Sequence, residues 1–168
     1  DTIAPNAPSS LATSSSITDN STPTITGNAE ANTKVTLFID SSVLGTTNAN
    51  TKGAFSFTPS SAIEDGTYSI KATSTDSAGN ISSKSVSLSI TIDTTSPDAP
   101  SFLATSSSIT NNSTPTITGN AEANTKVTLF IDSSVLGTTT ASTKGAFSFT
   151  PSFEIQDGNY SIKATSTD

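Results

Sequence analysis

The sequence has no cysteine, histidine, tryptophan, methionine or arginine. Without cysteine there is no disulfide to staple a fold and no thiol chemistry. Without histidine the commonest general base and the commonest transition-metal ligand are missing. All seven basic residues are lysine, against 14 acids, for a net charge of −7. That balance argues against recognition of phosphate or nucleic acid, so no nucleic-acid partner is expected. Long apolar runs are also missing. Stretches such as Val35–Ile39 are strand-sized, far short of the ~20 residues that span a bilayer, so no membrane span is expected in this segment. No secretory leader is visible, and the chain reads as a mature internal segment of a longer secreted protein.

What is present is repetition. Residues 1–76 recur as residues 93–168 at an offset of 92 positions. The aligned pairs differ only at positions 3, 4, 6, 10, 19, 48, 50, 61, 62, 64 and 67 and their partners. A period of 92 residues exceeds the ~20–50 residues of solenoid repeats. Each unit is therefore expected to be a domain with its own core. The two domains are residues 1–92, with a linker at 1–8, and residues 93–168, with a linker at 93–100. Prolines at 5, 8, 97 and 100 fix φ and hold these linkers extended, which predicts a short, stiff joint and an elongated rod.

Within one unit the dominant local signal has period two. Val35, Leu37 and Ile39 alternate with Thr36 and Phe38, and Phe55 and Phe57 flank Ser56. Tyr68, Ile70 and Ala72 alternate with polar neighbours, as do Val86, Leu88, Ile90 and Ile92. Such alternation buries one face of a strand and wets the other. No stretch has helical periodicity. Turn signals separate the runs at Gly27–Asn32, Asp40–Ser42, Thr51–Gly53, Glu64–Gly66 and Asp76–Asn80. The predicted fold class is all-β: tandem immunoglobulin-like β-sandwiches of about seven antiparallel strands each. The strands are expected near Ser9–Leu11, Pro23–Ala29, Lys34–Asp40, Val43–Asn48, Ala54–Pro59, Thr67–Thr75 and Ser83–Ile92. Tyr68 follows Asp65-Gly66-Thr67, where a tyrosine corner would return its hydroxyl to the upstream chain. Tyr160 repeats the placement, and these are the only tyrosines.

Strand direction brings three acids of the first unit to one pole: Asp1 in the linker, Glu30 and Asp76 in loops. Asp93, Glu122 and Asp168 repeat the set. Two readings stay open on the residues alone. The acids are solvated turn residues, or they hold a hard cation such as Ca²⁺, which takes carboxylate and carbonyl oxygens without histidine or cysteine. Asp98, Glu64 and Asp65 are further ligand candidates near the same junction. Paired carboxylates for glycoside hydrolysis are not favoured, because every acid recurs at a turn and no aromatic platform accompanies it. Catalysis is not expected. Lys71 and Lys163 fall on a polar strand face. Asn20-Ser21-Thr22 and Asn80-Ile81-Ser82 match a glycosylation pattern that is frequent by chance in so Ser/Thr-rich a chain.

The motifs GNAEANTKV, GAFSFTP, DGTYSIKATSTDSAGN and DTTSPDAP, taken together, resemble the bacterial immunoglobulin-like repeats of giant surface adhesins, including biofilm-associated proteins and the extender regions of RTX-type adhesins. The resemblance covers the whole chain. It implies a seven-stranded sandwich, tandem arrays at the cell surface and neighbouring repeats as partners. It also implies calcium at the junctions, with the linker Asp, the acid of the GNAEAN loop and the Asp before SAGN as ligands. Those positions are Asp1, Glu30 and Asp76, then Asp93, Glu122 and Asp168. Three functions are in play: a calcium-stiffened extender, a filament subunit completed by strand exchange, and a glycan- or protein-binding module. The second unit contains no counterpart of Ser77–Ile92, so either the chain is a segment of a longer array, the favoured expectation, or a strand from another copy fills the gap by self-association through that edge.

Overall fold

A computed structural model describes residues 1–168 and divides into two compact units, Asp1–Thr95 and Ser96–Asp168. In unit 1 the strands are β1 (Ser9–Ala12), β2 (Ile17–Thr18), β3 (Ile25–Asn28), β4 (Lys34–Ile39), β5 (Ser42–Asn48), β6 (Ala54–Phe57), β7 (Gly66–Thr75) and β8 (Leu88–Ile92). One sheet has the order β1-β3-β6 and the other β2-β8-β7-β4-β5. Ile25 and Phe55 from the first sheet join Val35, Leu37, Ile70, Ala72, Ile90 and Ile92 from the second in one buried cluster. The two sheets thus enclose a single apolar layer, as their alternating sequences demand.

Local chemistry shapes the edges. A two-residue turn at Asp40-Ser41 joins β4 to β5, with Asp40 in left-handed backbone at φ 51°. Its carboxylate accepts the Ser69 amide at 2.9 Å, and its own amide donates to the Ser69 carbonyl at 2.8 Å. The hairpin is thereby tied to β7. Gly27 lies opposite Phe55, whose ring sits where a Cβ would be, only 2.6 Å from that point. Glycine is required there by the ring.

The sequence-predicted strands recur with two differences. The run Ile17-Thr18 forms an extra strand, β2, parallel to β8, so unit 1 has eight strands rather than seven. The last strand begins at Leu88, not Ser83, and Val86 is 89 % exposed instead of facing the core. Serine side chains explain this. The Ser85 and Ser82 hydroxyls accept the amides of Ala72 and Ser74 at 2.9 and 2.8 Å. They take the place of backbone carbonyls in the ladder, so the chain there bends out of register.

Unit 2 contains β9 (Ser101–Thr105), β10 (Ile117–Asn120), β11 (Lys126–Ile131), β12 (Ser134–Thr140), β13 (Ala146–Phe149) and β14 (Ile162–Thr167). They form sheets of order β13-β10-β9 and β12-β11-β14. Its core gathers Ile117, Val127, Leu129, Leu136, Ala141 and Phe147. β14 has β11 as its only strand partner; residues 158–161, the counterparts of the part of β7 that pairs with β8, are not in a strand.

Candidate functional site

At one pole of unit 1 the loop after β7 closes on Asp76. Its Oδ1 accepts the amides of Ala78 and Asn80, both at 2.9 Å, and its Oδ2 accepts Asn80 Nδ2 at 2.8 Å. The Asn80 amide group also donates to the Asp1 carbonyl at 3.2 Å. Asn80 therefore bridges the linker and the loop. These donors, the Asn80 side chain first, hold the Asp76 carboxyl below its ordinary pKa. The Asp1 carboxylate accepts the Ile3 amide at 2.9 Å. The Glu30 carbonyl accepts the Thr33 hydroxyl at 2.7 Å, and the Glu30 side chain is exposed. In unit 2, Asp98 and Glu122 line a shallow recess with Ser101 and Asn120. Asp168 is exposed at its end. Asp93 belongs to unit 1, where its amide donates to the Thr18 carbonyl at 2.9 Å. In neither unit do three acidic side chains gather as a group able to hold a metal ion.

At the opposite end of β7, Asp65 grips the chain leaving β8. It accepts the Thr94 amide at 3.0 Å, the Thr94 hydroxyl at 2.8 Å and the Thr95 hydroxyl at 2.9 Å. Those bonds, led by the Thr94 hydroxyl, lower its pKa. Beside it the Tyr68 hydroxyl donates to the Glu64 carbonyl at 3.1 Å, and in unit 2 Tyr160 does the same to Gln156 at 3.1 Å. Both tyrosines thus close the turn before the strand in the manner of a tyrosine corner. Sequence reasoning placed Asp65 near the junction but missed its role as a clamp. The signal was the Asp-Thr-Thr that follows β8.

Unit 2 also has a groove of about 440 Å³ lined by Ile109, Ile117, Ile131, Ile155, Tyr160 and Ile162 among others. It opens beside residues 155–160, which lead into β14. Of their counterparts in unit 1, Tyr68 and Ile70 lie opposite Ile90 and Leu88 of β8.

The family model for the bacterial Ig-like domain matches residues 2–94 and 101–168. Among solved structures, the chain is similar to a tetra-tandem repeat in the extending region of a large adhesion protein, at 21 % identity and a TM-score of 0.41, over 93 % of this chain and 47 % of that one. It is also similar to the BSP domain of a biofilm-associated protein, at 22 % identity and a TM-score of 0.37, over 96 % of this chain and 27 % of that one. The human OSCAR ligand-binding domain matches at 14 % identity and a TM-score of 0.42, over 96 % of both chains. The chain spans less than half the length of either bacterial structure. No curated protein sequence matches it. With both repeats matched almost end to end, the chain belongs to the bacterial Ig-like domain family.

Proposed function

We propose that the chain is a non-catalytic extender segment of a large secreted bacterial surface adhesin, stiffened by calcium at the junctions between repeats. The observation that carries this reading is the repetition itself. The same buried set recurs in both units, Ile25, Val35, Leu37 and Phe55 matching Ile117, Val127, Leu129 and Phe147. A catalytic or ligand site is seldom built twice in tandem with identical decoration, whereas a spacer gains length from each copy. The loops after β3 and β7 are small and polar and offer no aromatic anchor of the kind that dominates binding energy, the exposed Phe102 and Phe153 lying elsewhere. Family membership agrees with this role.

Calcium is supported by chemistry rather than by a formed cage. The Asp76 carboxylate and the Asp1 carbonyl converge on the Asn80 side chain, whose N–H donors a cation would displace. Hard oxygens of this kind suit Ca²⁺. The test is a thermal melt of the 168-residue chain in EDTA and in millimolar calcium, with small-angle scattering on the same samples. A cation bound at a hundredfold excess over its Kd adds about 2.7 kcal/mol to the native state. A rise of several degrees in calcium, lost in Asp76→Asn, supports the stiffened extender. Identical melts and scattering in the two buffers overturn the calcium role and leave a metal-free spacer.

A further inference from the structure

The chain enters and leaves unit 1 at opposite poles. At the entry the Asp1 carbonyl accepts Asn80 Nδ2 at 3.2 Å, in the loop that follows β7. At the exit Asp65, just before β7, accepts the Thr94 hydroxyl at 2.8 Å and the Thr95 hydroxyl at 2.9 Å. The 10 residues of β7 lie between, a span of about 33 Å. Tension applied through the chain therefore acts along the strands.

Strand direction decides what such tension meets. β8 is antiparallel to β7, so it runs from the Asp76 pole toward the Asp65 pole. β2 is parallel to β8, with Ile17 beside Thr91 and Thr18 beside Ile92. Every other strand pair in unit 1 is antiparallel. A pull on the entering chain draws β2 back toward the Asp76 pole, and a pull on the leaving chain draws β8 the other way. The two strands must slide past each other. The bonds between them are then loaded side by side rather than opened one after another.

Two amides donate across that seam, Thr91 to the Ser16 carbonyl at 2.8 Å and Asp93 to the Thr18 carbonyl at 2.9 Å. On its other side β8 is fastened more firmly. It pairs with β7 from Gly66 to Ile70, the Thr67 and Thr91 hydroxyls meet at 2.8 Å, and those of Ser69 and Ser87 at 2.6 Å. Ile90 and Ile92 are buried beneath. β1, which the load reaches first, belongs to the other sheet, and its ladder is interrupted around Ser10, in left-handed backbone at φ 53°. Within the sheet that holds the exit strand, the β2–β8 seam is the first barrier.

We propose that the parallel β2–β8 seam is a force-bearing clamp that lets unit 1 hold tension along the chain. The direction of the load is taken from the extender reading, on which the clamp rests, since a spacer is pulled at its two ends. Asp65 has a second part in it. By holding Thr94 and Thr95 against the start of β7, it keeps the pull on β8 in line with the strand and stops the exit end from peeling outward.

The test is single-molecule stretching of the 168-residue chain in EDTA, held by cysteines added at its two ends, the sequence having none of its own. The longer of the two releases of chain marks unit 1. With one attachment moved to Ala78→Cys, at the same pole as Asp1, unit 1 alone is stretched and its strands are peeled from one end. It should then yield at roughly half the force, because forced unfolding reads the barrier along the direction of pull. Asp93→Pro deletes one of the two donors and should lower the end-to-end force by roughly a third or more. Leu37→Ala, in the buried face of β4, should lower the melting point of unit 1 further than Asp93→Pro does, yet lower the force less. Equal forces in the two pulling geometries overturn the clamp. So do forces that follow the melting points across the two variants, because resistance would then be a matter of overall stability. The comparison of geometries leaves the core intact, so it decides the matter even where Leu37→Ala does not fold. EDTA keeps calcium out of every measurement, so the extender reading and its calcium melt are judged separately.

Discussion

The two units of this chain are an experiment in which one strand is varied and almost everything else is held fixed. On the side of β3, β4 and β6 they are alike: Val35 and Val127 are fully buried, as are Leu37 and Leu129. On the other side they part. Ile70 is fully buried and Ile63 nearly so, whereas their counterparts Ile162 and Ile155 are only half-buried. β7 runs for 10 residues, but β14 for only 6, although Tyr-Ser-Ile-Lys-Ala-Thr-Ser-Thr is common to both. The lost turn of strand, Gly158–Ser161, corresponds to the stretch of β7 that pairs with β8 alone. A strand is thus a property of its partner as much as of its own residues. A core built by one missing neighbour fails locally, without dissolving the rest.

The most severe way to break the contrast is to disable β8 where it is present. Ile90→Asp places a carboxylate in a fully desolvated layer, and more than about 4 kcal/mol of unit 1 stability should be lost. Calorimetry should show the transition of unit 1 falling to or below that of unit 2, with Gly66–Ser69 losing amide protection. An unchanged transition would mean that β8 does not hold the second sheet together. A paired truncation sharpens the comparison next. Ile70→Ala should cost about 3–4 kcal/mol, within the range for a buried Ile cut to Ala. Ile162→Ala, in an identical local sequence, should cost about 1–2 kcal/mol because that side chain has less to lose. Equal costs would show that the half-exposure of Ile162 is not felt energetically.

Much of this was legible in the sequence. Val35-Thr36-Leu37-Phe38-Ile39 alternates, and it forms β4 with Val35 and Leu37 inside. Tyr68 after Asp-Gly-Thr makes the hydroxyl–carbonyl bond that its position suggests. What escaped reading depends on distant partners. Ile17-Thr18 is too short to show a period, and becomes a strand only because β8 runs alongside. Val86 continues an alternating run, yet it is turned outward because Ser82 and Ser85 spend their hydroxyls on the β7 ladder. The acidic pole was partly readable. Strand direction places Asp1 and Asp76 at one end, but no pattern announced that Asn80 bridges them and occupies the Asp76 oxygens.

Acid titration separates the units more gently. Asp65 and Asp76 have pKa values lowered from 3.8 by their hydrogen bonds. A depressed folded pKa stabilises above the unfolded value, and the contribution is lost as pH falls through the folded one. The melting point of unit 1 should therefore decline as pH falls below the ordinary 3.8, beyond whatever general charge repulsion does to both units. Asp65→Asn with Asp76→Asn should flatten the acid limb of unit 1. If the double variant keeps the full slope, the carboxylates contribute nothing through those bonds.

The smallest effect concerns the outer face. Phe38 and Phe130 occupy the same place on β4 and β11 and point away from the core, an unusual position for so large an apolar ring. In unit 1 the Lys84 ammonium sits 4.4 Å from the centroid of the Phe38 ring. It reaches there from the segment just before β8, which has no counterpart in unit 2. A cation over a phenyl face contributes about 0.5–1 kcal/mol at an exposed site. Lys84→Ala should therefore lower the stability of unit 1 by roughly half a kcal/mol. The double variant Lys84→Ala, Phe38→Thr isolates the pairwise coupling, because a threonine at that site gives the ammonium nothing to stack on. A coupling energy near zero in this cycle would reduce the pair to a chance approach of two exposed side chains. A coupling of the expected size would show that the segment preceding β8 stabilises unit 1 on its wet face too, apart from the isoleucines it delivers to the core.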